Sequence, residues 1–461
     1  MSMMVVMKFG GTSVQDAKAI DRVCMIVRTR LDSGQRPVVV LSAIAKGTDA
    51  LIEAGALASE GKISEAREKI AKLRERHLQI ARELVKDEKS FGDLRARMGD
   101  YFNDLEDLLK GVSLLSELST KIQAKIVSYG ELLATLIASY AMRERGMSAA
   151  LLDARDFIIT DNNYLKGEPQ LEEIIARTKV SVGKVVEAGM VPVIQGFISR
   201  SKDGMPSVLG RGGSDYTASL VGMALDAKEI EIWTDVDGML TADPRKVQGT
   251  KIISEISFEE AAELAYFGAK VLHPLTIRPA VEKSIPVRIK NSQAPEVEGT
   301  LILNRTGDHD AGGGARAVKS IACKEKVIVI NIFSMRMLNS YGFLKKIFDV
   351  FDKHRTSVDL ITTSEVNVSV TLDNGEYLEE IKTELSAFAK VSVENDKALV
   401  CLVGNNLKNT QGITGKIFGV LSDYKITMIS QGASLINVSF VLDQEHLKEA
   451  LQKLHNTFFK N

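Results

Sequence analysis

A chain of 461 residues can bury two or more hydrophobic cores, and its 45% hydrophobic and 26% charged composition is that of a globular protein. A formal net charge of −1 gives no support to binding driven by bulk electrostatics, whether to nucleic acid or to an anionic membrane. The three cysteines (Cys24, Cys323, Cys401) form no CxxC pair, which argues against a disulfide framework or a zinc site and fits a reducing cytoplasm. The N-terminus has no basic flank followed by a long apolar segment, so no signal peptide is expected, and no apolar run approaches the ~20 residues that span a bilayer.

In chain order, MMVVMKF at 3–9 predicts a strand that ends in KFGGTS. The spacing of Ile20, Val23, Cys24, Val27 and Leu31 predicts a helix over 17–31, and PVVVLSA from Pro37 reads as a buried parallel strand. Residues 63–129 form a helical block. Its first helix follows Ala66, Ile70, Leu73, His77, Ile80 and Leu84, a second covers about 100–110, and a third runs from near Leu114 toward Ala141. The α/β pattern returns with SAALLDARD, VPVIQGFIS and EIEIWTDVDG as strands and 215–225 as a helix, and IPVRIKN and GTLILN close the set. Alternation of this kind predicts one large α/β domain over 1–305, with a mainly parallel sheet between helices.

GDHDAGGG marks a linker at 306–316. Beyond it, 342–373 and 412–443 align without gaps at an offset of 70, with eleven of 32 positions identical, where chance gives about two. Each copy reads as a glycine, a helix and two β-rich runs. This predicts two small α+β modules, at 324–391 and 392–461, with 317–323 a candidate further strand of the second.

Four stretches carry candidate chemistry. In KFGGTS, paired glycines let backbone N–H groups approach a phosphate and Lys8 adds a mobile charge; the competing reading is a tight turn. In LGRGGSDYTA, Ser214 and Asp215 suit a helix N-cap, but an N-cap does not account for Arg211 set between glycines, where it suits a carboxylate or phosphate. IWTDVDGMLTADPR is either a solvated turn or a nucleotide loop, with Thr234 and Asp235 toward sugar or base and Arg245 toward phosphate. In SYGELLAT, Glu131 is a lone acid in an apolar helix and by itself reads as surface-facing.

Together KFGGTSV, GELLAT, GRGGSDYTA, WTDVDGMLTADPR and FGAKVLHP, in this order, resemble the aspartate kinases of the amino-acid kinase fold, and the tail resembles their paired ACT domains. The helical block and SYGFLKKIF…SVDLITTSEVNVSVTLD resemble the monofunctional, lysine-sensitive type, and no GxGxxG fingerprint of a fused dehydrogenase follows. The resemblance implies an amino-acid-kinase-like domain plus two ferredoxin-like ACT domains. It also implies transfer of the γ-phosphoryl of MgATP to the side-chain carboxylate of L-aspartate, with Mg accompanying ATP. By the same resemblance, Lys8 neutralises the phosphoryl group that Gly10 and Gly11 cradle. Thr48 and Glu131 contact aspartate, Arg211 holds its α-carboxylate, and Ser214 and Asp215 organise the site. Thr234, Asp235, Arg245 and Lys270 contact ATP. One departure is Leu240, where some members carry a tyrosine near the nucleotide.

Between the repeats, Asp359 is replaced by Ile429 and Glu365 by Leu435, so only the first module carries carboxylates suited to a cationic effector. The expected effector is L-lysine, near Met337, Ser340, Phe343, Leu344, Ser357, Val358, Asp359, Thr363, Ser364 and Glu365, in a homodimer or larger oligomer paired through the ACT modules. The alternatives are a catalytically weak amino-acid sensor, or a related kinase of glutamate, acetylglutamate or a nucleoside monophosphate.

Overall fold

The computed structural model describes residues 3–267, 274–304, 317–338 and 340–460. Lys270 and the expected linker at 306–316 lie outside the described residues. The chain divides into two compact units, Met1–Met239 with Val271–Arg305 and Leu240–Lys270 with Thr306–Asn461.

The first unit opens with β1 (Met4–Phe9), α1 (Ala17–Asp32), β2 (Arg36–Leu41), α2 (Gly47–Ser59), α3 (Ile63–Leu84), α4 (Glu88–Leu115) and α5 (Thr120–Glu144). It continues with β3 (Ala149–Leu152), β4 (Ile159–Thr160), α6 (Leu171–Thr178), α7 (Lys184–Glu187), β5 (Val191–Gln195), β6 (Ile198–Ser201), β7 (Pro206–Val208), α8 (Gly213–Ala224) and β8 (Glu229–Thr234). Residues Leu240–Lys270, which include β9 (Glu255–Ser257) and α9 (Phe258–Tyr266), belong to the second unit. The first unit then resumes with α10 (Arg278–Glu282), β10 (Val287–Asn291) and β11 (Thr300–Leu303).

Its main strands run in the order β3-β5-β2-β1-β8-β10-β11. All neighbours are parallel except β10 and β11. β1 sits in the middle because Val5, Val6, Met7 and Phe9 have no polar group to satisfy and are all buried. Lys8, the one charge in β1, falls at the carboxyl end, where open parallel sheets of this kind bind ligands.

The helical block is longer than its apolar spacing suggested. α4 begins at Glu88, not near 100, because Asp87 caps it by accepting from Ser90 N–H at 2.8 Å. Gly92 and Gly99 dilute the helical pattern, yet Leu94, Met98, Phe102, Leu105 and Leu109 keep one buried face. α5 starts at Thr120 behind a Ser119 cap, and Ser116, in the left-handed region, ends α4. Within α5, Gly130 has a packing role: a Cβ there would lie 2.8 Å from the Ala43 Cβ, so only glycine lets the helix meet the loop after β2.

The second unit adds β12 (Val318–Phe333), α11 (Phe343–Lys353), β13 (Ile361–Thr363), β14 (Asn367–Leu372), α12 (Leu378–Ser386), β15 (Lys390–Gly404), α13 (Ile413–Val420), β16 (Ile426–Gln431), β17 (Asn437–Asp443) and α14 (Leu447–Phe459). They form an antiparallel sheet in the order β13-β14-β12-β15-β17-β16. β12 and β15 are shared by two halves with separate cores, one around Ile330, Phe343, Ile347 and Val370, the other around Val400, Ile417, Phe440 and Leu454. The residues at 318–324 pair with Leu399–Gly404 in the second half. The glycines that lead the two repeats, Gly342 and Gly412, both have φ near 75° and start equivalent helices, a conformation a Cβ would strain.

The expected first domain, 1–305, differs from the first compact unit in one stretch. Leu240–Lys270 packs with the second unit because Ala242 and Val247 enter its second core. The Leu240 carbonyl accepts from Ser320 Oγ at 2.8 Å, and Thr241 Oγ1 meets His455 Nε2 at 2.9 Å. Two small apolar residues in a polar-looking loop gave the sequence no visible reason to change core.

Two glycines test the packing account. Gly130→Ala is expected to lower the melting temperature, at a cost of about 1–3 kcal/mol for overpacking. Gly92→Ala, whose Cβ would meet nothing within 4 Å, is expected to raise it slightly by helix propensity. Thermal unfolding of both variants checks this.

Candidate active site

The carboxyl ends of β1 and β2, together with the starts of α2 and α8, enclose a cavity of about 390 Å³. After β1 the chain turns sharply. Gly10 N–H donates to the Trp233 carbonyl at 3.1 Å, and the Gly11 carbonyl accepts from Ala45 N–H at 3.2 Å. These bonds lay the opening glycine loop against the loop after β2. From α3, Arg76 ties the two together by donating to the carbonyls of Ala45 at 2.7 Å and Gln15 at 2.8 Å.

Charges of both signs converge on the cavity. Lys8 Nζ lies 2.6 Å from Asp215 Oδ1, both largely buried, so the lysine is held pointing across the sheet end. Ser42 Oγ donates to Ser214 Oγ at 2.9 Å, joining the β2 loop to the start of α8. Glu131 is buried in α5: Oε1 accepts from Ala43 N–H at 3.1 Å, and Oε2 has no partner among the described residues. Burial pushes its carboxyl up to about 8, with the hydrogen bond from Ala43 opposing. An isolated buried carboxyl of this kind is suited to a cation from outside the chain. Arg211 lines the same wall, and its side chain has no protein partner among the described residues.

Lys8, Gly11, Thr48, Glu131, Arg211, Ser214 and Asp215 therefore share one cavity, as the motifs imply, with Gly10 in the turn beside it. Thr234 and Asp235 do not line that cavity. Thr234 is the last residue of β8 and Asp235 follows it, with Thr234 Oγ1 donating to Asp235 Oδ1 at 3.1 Å. Arg245 belongs to the second unit, where it is exposed and bonded to Asp243 at 2.8 Å. Lys270 lies outside the described residues. The sequence reading missed Ser42, the Ala43 N–H, Arg76 and Phe197, since a serine, an amide, a helical arginine and an aromatic carry no motif. Phe197 lines the cavity from a left-handed backbone conformation, φ 68, that nothing in the sequence signals.

In the second unit, Phe343 is buried at the start of α11, and Met337 and Val358 are partly buried in the first core. Ser340, Leu344, Ser357, Thr363, Ser364 and Glu365 are exposed. Asp359 is not free. Its carboxylate lies 3.1 Å from Lys324 Nζ and accepts from the Tyr266 hydroxyl, and Lys324 also pairs with Asp373 at 2.6 Å. Burial pushes the Asp359 carboxyl above the usual carboxylate range.

A parallel sheet with a glycine turn, a lysine and two helix N-termini at its carboxyl end defines a phosphotransferase class. The amino acid kinase family matches residues 3–291 and the ACT domain matches 400–458. The chain is 38% identical to the lysine-sensitive aspartokinase 3 of Escherichia coli over 100% of both chains. It is 37% identical to the chloroplastic aspartokinase 3 of Arabidopsis thaliana over 99% of this chain and 81% of that protein. Among solved structures, E. coli aspartokinase III with lysine and aspartate superposes at a TM-score of 0.83, 38% identical, covering 100% of each chain. Its complex with aspartate and ADP superposes at 0.80, covering 99% of this chain and 100% of that one. The chain belongs to the aspartokinases; it is an aspartate kinase.

The buried Glu131 predicts an unusual pH dependence. Its folded value of about 8 exceeds the ordinary 4.5, so the folded state binds the extra proton between them, and stability falls as pH rises through that window. Glu131→Gln in the ligand-free protein is expected to melt several degrees above wild type at pH 8.5, with the gap closing at pH 5. Calorimetric melts across pH check this.

Proposed function

We propose that the cavity at the end of β1 holds L-aspartate and the γ-phosphoryl of MgATP side by side. The observation that carries this reading is the buried Glu131 oxygen without a partner, facing the cavity that Lys8 and Arg211 also line. An amino acid brings an ammonium for the first and a carboxylate for the last.

In this reading Glu131 and Thr48 receive the ammonium end, Arg211 grips the α-carboxylate, and Ser214 holds its loop through Ser42. Lys8, oriented by Asp215, lies toward the transferring phosphoryl with the Gly11 amide beside it, while Gly10, whose own N–H is held by the Trp233 carbonyl, shapes the turn that brings them there. The acceptor carboxylate is already ionised, so no base is required. One of its oxygens forms a bond to the γ-phosphorus, the bond to the bridging oxygen of ADP breaks, and ADP leaves with the negative charge. A magnesium ion brought by the nucleotide would supply further charge neutralisation on the phosphates. Thr234, Asp235, Arg245 and Lys270 are the nucleotide contacts in this proposal, with Leu240 in place of a tyrosine.

The second unit is proposed as the regulatory half, with a second ACT domain at 324–391 beside the matched one, L-lysine as effector and Asp359 and Glu365 as its carboxylates. Met335, Leu338, Tyr341, Leu344 and Ile361 expose large apolar side chains there, which supports pairing of this half in a homodimer. The three cysteines carry free thiols, and no described helix is long and apolar enough to cross a membrane; we place the enzyme in the cytoplasm.

Three outcomes are expected from a coupled assay of ADP release. Lys8→Ala lowers kcat by about 10²–10³-fold, the scale for losing one charge-stabilising donor. The KM for aspartate rises as pH falls below about 8, because the ammonium must displace the Glu131 proton; a flat profile would reject that contact. Asp359→Ala keeps its activity and loses inhibition by lysine, whereas inhibition by threonine alone would reject the effector assignment.

A further inference from the structure

We propose that Lys46 is a further substrate-binding residue, holding the side-chain carboxylate of the amino acid while Arg211 holds its α-carboxylate. The inference rests on the active-site reading above.

Lys46 occupies its position at a cost. It takes φ 64 and ψ 4, the left-handed region that a residue with a Cβ adopts reluctantly, although Gly47, which would adopt it freely, is the next residue. It is also the N-cap of the 13-residue helix α2 and makes no side-chain cap, although the positive end of a helix favours an anionic residue over a cationic one. The Lys46 side chain is exposed and has neither a hydrogen bond nor an ion pair among the described residues, so in the free protein only solvent meets its charge and no protein contact offsets the backbone strain. Yet it lines the cavity that holds Lys8, Glu131 and Arg211. A strained residue with an unpartnered charge in a substrate cavity points to a ligand.

Its place in the loop fixes which part of the ligand. On one side Ala45 N–H bonds the Gly11 carbonyl at 3.2 Å, next to the phosphoryl cradle. On the other, Thr48 Oγ1 lies 3.8 Å from where a Cβ on Gly130 would sit, beside Glu131. Lys46 thus stands between the phosphoryl side and the ammonium side, where the acceptor carboxylate has to lie.

The charges agree. Lys8 is already paired with Asp215. With Asp215 Oδ1 taken up by that ion pair, the described residues leave two cations without protein partners on the cavity wall, Lys46 and Arg211, and one buried carboxylate oxygen, on Glu131. L-Aspartate presents two carboxylates and one ammonium. Asp49 also lines the cavity and is exposed, as Lys46 and Arg211 are, but it sits in the first turn of α2, where the helix itself stabilises a carboxylate. The competing role for Lys46 is a solvated cation near Asp49.

Lys46→Gly separates the two, since glycine relieves the strain and removes the charge. The melting temperature is expected to rise or hold, the KM for aspartate to rise at least tenfold, and the KM for ATP to stay within twofold. Lys46→Arg is expected to recover much of the aspartate KM. A Lys46→Gly enzyme with unchanged kinetics, or one in which only the KM for ATP rises, overturns the assignment. Glu131→Gln is measured alongside. If it leaves the aspartate KM unchanged, the site reading itself has failed; if it raises the KM and Lys46→Gly does not, only the role of Lys46 is lost.

Discussion

Two negatively charged reactants have to be brought within bonding distance, and their repulsion is the constraint around which the first unit is arranged. Like charges 4 Å apart repel by about 4 kcal/mol at the effective dielectric of a protein surface. The chain meets this with fixed groups. A buried parallel strand carries Lys8 near its end, a glycine turn brings the Gly11 amide to the cavity, and the N-termini of α2 and α8 border it. Because Asp215 holds Lys8 and Arg76 holds both loops, the positive groups are in place before any ligand arrives.

The same cavity handles the opposite problem with one buried acid. Glu131 is costly to ionise where it sits, and one of its oxygens lacks a partner. Gly130 makes this possible by letting α5 approach the Ala43 amide, its one donor from the β2 loop. In the proposed reading, stability given up at this carboxyl becomes selectivity for a ligand that carries an ammonium.

Much of this was legible in the chain. The strand pattern of β1, β2, β5 and β8 follows from short β-branched runs, and the paired glycines with Lys8, the glycine-flanked Arg211 and the 70-residue repeat are local features. What was not legible depends on long-range packing. The entry of Ala242 and Val247 into the second core is invisible in a loop of ordinary composition. Taken alone, Glu131 read as a surface acid because a single glutamate on an apolar helix says nothing about which side meets a loop 88 residues away. The N-terminal half of α4 was hidden by its glycines until Asp87 was seen to cap it. In the second unit the repeat located Asp359, but its engagement by Lys324 and Tyr266, which come from two other elements, could not be read from the repeat.

The most direct test of the account is a crystal structure of the protein with L-aspartate and a non-hydrolysable ATP analogue. The account requires the terminal phosphate beside the Lys8 ammonium and the glycine turn, with the amino acid's nitrogen on Glu131 and its α-carboxylate on Arg211. A triphosphate lodged away from Lys8, or an amino acid bound with its nitrogen remote from Glu131, would contradict it.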